Sequence, residues 1–307
     1  MSGITMGSVT RRQQFIDIFS DRLAFLEEIL GNNYDAPSLT YSQVFNVRDS
    51  ARAYEEITSI HGFGQFSKKP EGEKIDYDRM IQGFDKRFKH DTWAKGASIT
   101  FEAMSDDVDG ALSDVIPALA RVARNSIETD AYGDFNNGFG ATVTTPDGAN
   151  LFSATHLLEG GGTFSNLVAA DFSLGALETA LNIFDDFRDG RNQLIEGDAA
   201  ILLHPIELRW RIHEVLKSQL RSDTANNTTN ALSQIGISTL MSKYLTDADS
   251  WFLLSKPANH RLLYYWREEP MSDSTLDFDT GNWKTKMTYR MSHGAADWRN
   301  LVGGQGQ

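Results

Sequence analysis

The chain has no cysteine among its 307 residues, which excludes disulfides, thiolate metal sites and cysteine nucleophiles together. Its strength must therefore come from packing or from association. No apolar run approaches the roughly 18 residues that a membrane-spanning helix needs. The opening MSGITMGSVTRRQQF also lacks the charged-then-apolar order of a signal peptide. The expectation is a soluble chain made inside the cell, with no membrane partner. Clustered positive charge is missing too: 29 Lys and Arg stand against 42 Asp and Glu, a formal net charge of −13, with no block of five cations. Clustered cations supply most non-specific affinity for phosphate backbones, so direct binding to DNA or RNA is disfavoured.

Apolar residues make up 40% of the chain, with 18 Phe and 6 Trp, enough for a folded protein. A prior of roughly 150 residues per domain suggests two compact units. Residues 11–30 carry Phe15, Ile16, Phe19, Leu23, Leu26 and Leu30 near the helical period, and Gly31, Asn32 and Asn33 stop that helix. From 47 to 104 apolar residues are sparse, and no compact core is expected from that segment. Strand-like flanks at 53–60 and 98–103 enclose the turn Lys68, Lys69, Pro70, Glu71, Gly72, Glu73, which predicts a long projecting hairpin. Asp106 and Asp107 then suit the start of the longest helical pattern, which ends at Asn136, Asn137 and Gly138. Pro117 is expected to kink or divide it.

Pro146, Asp147 and Gly148 predict a tight turn. Beyond it come a helix over 172–187, a short buried strand over 199–203 and a helix over 205–220 with Pro205 in its first turn. Strands at 251–254, 262–266 and 283–291 follow. The fold class is α+β.

Catalytic and ligand motifs fit poorly. The acidic stretch around Asp107, Asp109 and Gly110 would place Ser105 and Ile116 at the first and twelfth positions of a calcium loop, where oxygen ligands are required. The seven histidines, His61, His90, His156, His204, His213, His260 and His293, show no short ligand spacing. Gly160, Gly161 and Gly162 lack the following Lys and Ser or Thr of a phosphate loop. Ser153 and His156 are too local a pair for a hydrolase triad, and Asp185 with Asp186 suits a solvated helix surface. No cofactor, metal or catalytic residue is expected.

Taken in order, these features resemble the major head proteins of tailed bacteriophages, of the Mu-like major head subunit type, which have the Hong Kong 97-type capsid fold. The residues that carry the resemblance are Asp147, Gly148, Leu151, Phe152, Ser153, His156, Asn166 and Leu167, followed by HPIELRWRIHEVLKS, SWFLLSKP and a late aromatic strand. It implies an N-terminal arm (1–46), an extended hairpin or E-loop (47–104), a peripheral domain with a spine helix (105–169), an axial domain with a mixed sheet flanked by helices (170–270), and strands returning to the peripheral domain (271–307).

It also implies a shell subunit that contacts itself in hexamers and pentamers through the hairpin tip Lys68, Lys69, Pro70, Glu71, Gly72 and Glu73. Portal, scaffolding and decoration proteins would be further partners, and DNA would be enclosed without being bound sequence-specifically. With only about 40 residues before the hairpin, scaffolding is expected from a separate protein. No Lys–Asn cross-link is expected. Two other readings stay open at this point: an encapsulin-like nanocompartment shell, and a soluble acidic hydrolase with a dispersed site.

Overall fold

The computed structural model describes residues 39–75, 77–100, 102–103, 106, 115–158, 160–218 and 229–306. The expected helix over 11–30 and the start of the long helix at Asp107 lie outside them. The described elements run α1 (Tyr41–Val44), β1 (Asn46–Asp49), β2 (Tyr54–His61), β3 (Ile81–Lys89), β4 (Asp91–Ile99), α2 (Val115–Asn136), β5 (His156–Leu157), β6 (Thr163–Phe164), β7 (Leu167–Val168) and α3 (Leu174–Asp185). Then come β8 (Ile201–His204), α4 (Arg209–Lys217), β9 (Ser238–Met241), β10 (Trp251–Leu254), β11 (Leu262–Leu276), β12 (Trp283–Ala295) and β13 (Leu301–Gly304).

The chain divides into two compact units: residues 40–90, 128–266 and 292–307 form the larger, and 1–39, 91–127 and 267–291 the smaller. At the centre of the larger is a five-stranded mixed sheet, in the order β7-β13-β10-β8-β9. Strand side chains alternate between faces, which explains why Trp251, Phe252, Leu253 and Leu254 can all be buried. Trp251 and Leu253 join the core with Leu177, Ala180 and Phe184 of α3 and Ile212, Val215 and Leu216 of α4. Phe252 instead meets Phe135, Phe152 and Phe139, with ring centroids 5.0, 5.1 and 5.6 Å away. A strand covered on both faces needs an unbroken apolar run. The α3 helix begins where the Ser173 hydroxyl accepts from the Ala176 N–H at 3.2 Å.

A four-stranded sheet has the order β1-β11-β12-β4. In the smaller unit β4 pairs antiparallel with β12, from Ile99 opposite Trp283 to Asp91 opposite Met291. In the larger unit β1 runs parallel to β11 only over Leu263 to Trp266. The strand β11 continues past that point through Pro270 to Leu276, far beyond the stop expected at Trp266. Proline is tolerated there because β1 no longer needs ladder donors from it.

Several expectations are corrected. The strand pairing with β2 is β3, not the segment 98–103; Ser98 and Ile99 instead face Lys284 and Trp283. Only His90 separates β3 from β4, so the chain changes sheets within one residue. The segment 47–104 does supply core residues: Phe88 is buried with Leu263, Tyr265 and Ala296. The described helix is continuous from Val115 through Pro117 to Asn136, so Pro117 does not divide it there; residues 107–114, which precede it, lie outside the described residues. The helix α4 begins at Arg209 rather than at Pro205, since the Pro205 carbonyl is occupied by His204 Nδ1 at 2.7 Å. The last strand, β13, sits between β7 and β10.

That last placement depends on two glycines. A Cβ on Gly304 would lie 2.0 Å from Trp251 Cε2, and one on Gly303 would lie 2.5 Å from Phe152 Cγ. Replacing Gly304 by Ala is therefore expected to destabilise the fold by at least the roughly 1–3 kcal/mol typical of overpacking. Chemical denaturation with Trp fluorescence measures this; an unchanged midpoint would contradict the packing described.

Candidate functional site

The residues carrying the sequence resemblance converge on one buried polar joint. Asp147 closes its turn by accepting from the Thr145 hydroxyl and from the Ala149 N–H at 3.3 Å, and Gly148 provides the left-handed corner at φ +84°. His156 Nδ1 lies 2.8 Å from Asp147 Oδ2, and its Nε2 lies 3.0 Å from Asn166 Oδ1. The Asn166 amide nitrogen donates to the Leu151 and Leu301 carbonyls at 2.9 and 3.2 Å. Its oxygen must then be the atom that accepts from Ser153 N–H at 2.8 Å and from the imidazole. The ring has a hydrogen-bond partner at each nitrogen, and it stacks on Trp298 with centroids 4.4 Å apart.

Burial raises the Asp147 carboxyl, but the hydrogen bonds from His156 and Thr145 and the charge of His156 outweigh this and hold it below the usual carboxylate range. With neither ring nitrogen available, His156 cannot act as a base toward Ser153, whose hydroxyl instead accepts from Thr155 N–H at 3.2 Å. The pair is a turn, as the sequence indicates. What the joint does is fasten the turn-rich passage to β13, 135 residues further along the chain.

A second polar set lies on the C-terminal half of α2. Glu128 is buried and accepts from the Thr40 N–H and, at 2.9 Å, from its hydroxyl. Asp130 and Asp134, one helical turn apart, hold the two nitrogens of His293 at 2.9 and 2.8 Å. Asn136 donates to the Tyr244 carbonyl at 2.9 Å and accepts from Thr246 N–H at 3.0 Å. Burial alone would depress the His293 pKa; the charges of Asp134 and Asp130, with their hydrogen bonds, override it and hold the pKa up at about 10. Two carboxylates at helical spacing were a visible signal for this site, but nothing in the sequence pointed to a histidine so far along the chain.

At the base of the hairpin, His90 bridges Ser50 Oγ at 3.0 Å and Ser292 Oγ at 2.9 Å, and the Ser50 hydroxyl donates to the Glu55 carboxylate at 2.7 Å. Arg191 grips Asp78 and the Arg79 carbonyl, and Gln193 donates to the Phe63 carbonyl at 3.0 Å. These contacts pin the feet of the loop that joins β2 to β3.

The predicted tip is a turn: Glu73 N–H reaches the Pro70 carbonyl at 3.3 Å, and Gly72 has φ +80°. Lys68, Lys69, Pro70, Glu71, Gly72 and Glu73 all stand exposed, and the fold brings none of them to either polar set. The polar reading of this loop missed its apolar side chains. Phe66 is fully exposed and Tyr77 is 88% exposed, with Phe63, Ile75 and Met80 also largely open. All five were legible in the sequence as apolar residues outside any strand or helix period.

An α+β chain with a long helix, a projecting hairpin and a mixed sheet clasped by helices has the architecture of a viral shell subunit. Among solved structures, the asymmetric unit of the mature capsid of bacteriophage PhiM1 matches with a TM-score of 0.57 at 10% identity, covering 84% of this chain and 83% of that one. The capsid of cyanophage P-SCSP1u matches at 0.56 and 11% identity, covering 88% of each chain. The capsid of bacteriophage JBD30, decorated with minor capsid protein trimers, matches at 0.54 and 13% identity, covering 69% of this chain and 92% of that one. At these identities the likeness establishes the fold, which is of the Hong Kong 97 type. None of the curated proteins matches the sequence. The family model for phage capsid protein matches residues 84–303, and the chain belongs to that family. The Mu-like subtype is not what matched.

The His293 cluster makes a pH-dependent contribution whose sign is fixed. With a folded pKa of about 10 against roughly 6.5 for an unfolded histidine, the contribution is complete below about pH 6.5 and fades as pH rises toward 10. The Tm advantage of the native chain over His293→Gln is expected to shrink steadily across that window; an advantage that grew with pH would contradict the pairing.

Proposed function

We propose that the chain assembles with copies of itself into hexamers and pentamers that close an icosahedral phage head around double-stranded DNA. The observation that carries this reading is the phage capsid family match over residues 84–303. In this reading residues 1–46 are the arm, 47–104 the E-loop, 105–169 the peripheral domain with its spine helix, and 170–270 the axial domain, to which β13 is added. Scaffolding, portal and decoration proteins are the partners such a shell calls for. The net charge of −13 supports a wall that confines DNA without adhering to it. The role is structural, and no step of it needs a catalytic group.

The loop between β2 and β3 is the contact we assign to assembly, with its tip Lys68, Lys69, Pro70, Glu71, Gly72 and Glu73 lying across a neighbouring subunit. The relative weight of its residues follows from magnitudes. Burying a large apolar side chain contributes roughly 1.5–3 kcal/mol, whereas an exposed ion pair contributes about 0–1 kcal/mol. Phe66 and Tyr77, exposed in the single subunit, should therefore drive docking more than Lys68 and Lys69 do.

Electron microscopy and sedimentation of the purified chain test both statements. Closed shells are expected from the native protein. Phe66→Ala with Tyr77→Ala should abolish them, and Lys68→Glu with Lys69→Glu should only weaken them, all with unaltered subunit circular dichroism. A native chain that stays monomeric at every concentration would overturn the shell reading. Shells that form equally well in both double variants would overturn the role of the loop.

A further inference from the structure

A second projecting hairpin, formed by the outer part of β11 and the start of β12, ends in one bare aromatic ring. Phe278 is 93% exposed, yet the turn beneath it is rigidly built. Asp277 N–H donates to the Asn282 carbonyl at 2.9 Å, and Gly281 N–H to the Asp277 carbonyl at 2.8 Å, with Gly281 at φ +71°. Lys284 Nζ reaches Asp277 at 2.6 Å, and the pairs Lys286–Asp273 and Arg290–Glu268, at 2.9 and 3.2 Å, lie along the same two strands. The backbone that carries this exposed ring is held by the turn's own bonds, so binding would have little backbone freedom left to remove.

The same compact unit carries an apolar groove with room for such a ring. Trp93 of β4, Leu119 and Val122 of α2, and Met287 and Tyr289 of β12 line a cavity of about 130 Å³, close to the roughly 150 Å³ in which an apolar cavity accepts benzene. Trp93 and Val122 are still 40% and 38% exposed at its mouth, and Trp93 stacks parallel to Tyr289 at 6.3 Å, which leaves an aromatic face to extend. Charge agrees with shape. Lys95 lines the groove, and exposed Arg121 adjoins Val122 on a stretch of α2, residues 115–127, that holds cations and no acid. Phe278 is flanked by Asp277 and Asp279.

The ring cannot enter the groove of its own chain. Met287 is four residues beyond the start of β12, about 13 Å along the strand, and the β4–β12 ladder is continuous from Trp283 to Met291, so the hairpin cannot fold back. We propose that Phe278 of one subunit inserts into the Trp93–Val122–Met287 groove of a second copy. Knob and groove are different surfaces, so we assign a head-to-tail contact, which forms a ring of subunits when its rotation closes; a reciprocal exchange between two copies would give covalent dimers instead of a ladder. Phe66 is a weaker candidate for the same groove, because no strand pairing holds residues 62–80.

This inference rests on the shell reading, and the cysteine-free sequence allows the two to be separated. Phe278→Cys and Val122→Cys are introduced together and singly, shells are assembled and oxidised, and the products are run on a denaturing gel. A ladder of covalent oligomers is expected from the double variant alone. Shells without a ladder would overturn the inference, as would a ladder from Phe278→Cys by itself, which would set tip against tip, or one from Phe66→Cys paired with Val122→Cys. If the double variant fails to assemble, Phe278→Ala and Phe278→Leu decide. Alanine should lower shell yield at least about tenfold with subunit melting unchanged, while leucine retains most of the yield, and equal yields would overturn the inference. A native chain that forms no shells would sink the shell reading first.

Discussion

Nine residues of one helix, Glu128 to Asn136, gather several long-range contacts within the larger unit. Glu128 takes Thr40, 88 positions earlier, while Asp130 and Asp134 hold His293 from about 160 positions later. Asn136 ties down Tyr244 and Thr246, and Phe135 faces Phe252 of the central sheet. Buried charges are tolerated only when they are paired and hydrogen-bonded, so each carboxylate on this helix needs its distant partner in place. The restraint is stronger than apolar packing alone would supply, because a slipped register would leave an ionised group buried without a counterpart.

The polar joint at Asp147, His156 and Asn166 extends the same logic. Its three side chains satisfy one another and five backbone groups, and through Leu301 they set the edge from which β13 runs into the sheet. The glycines of β13 then let Trp251 and Phe152 approach its backbone. A chain without disulfides thus holds its termini-proximal segments by buried hydrogen bonds and by close aromatic packing. Among the exposed apolar side chains are those of the loop between β2 and β3 and Phe278 at the tip of the second hairpin, together with others such as Trp210 of α4.

The sequence was most informative where local pattern decides structure. The α3 helix, the buried strands β8 and β10, the turn at Asp147 and Gly148 and the turn at Pro70 to Glu73 all follow from spacing and turn chemistry. The joint residues were legible as a group through resemblance, although their mutual hydrogen bonds were not. Pairing was harder, because strand-like flanks do not say which partner they will choose. His90 lets one continuous stretch serve two sheets, and β13 enters a sheet whose other members lie far away in sequence. Pro117 does not divide the described helix, which runs on to Asn136, because the cost of a proline depends on its place within a helix and composition alone does not give that place. The second hairpin went unread because Pro270 and three acidic residues, Glu268, Glu269 and Asp273, obscured a strand that runs on beyond its partner β1.

The body of the subunit carries its own contacts, including those from Arg191 and Gln193 that hold the feet of the β2–β3 loop, whereas we assign the order of residues 65–75 to a neighbour. Hydrogen–deuterium exchange on free subunits and on assembled shells tests this directly. Amides of residues 128–136 should be protected in both states, and those of 65–75 should exchange freely in the subunit and become protected in the shell. Equal protection of the loop in both states would contradict the claim.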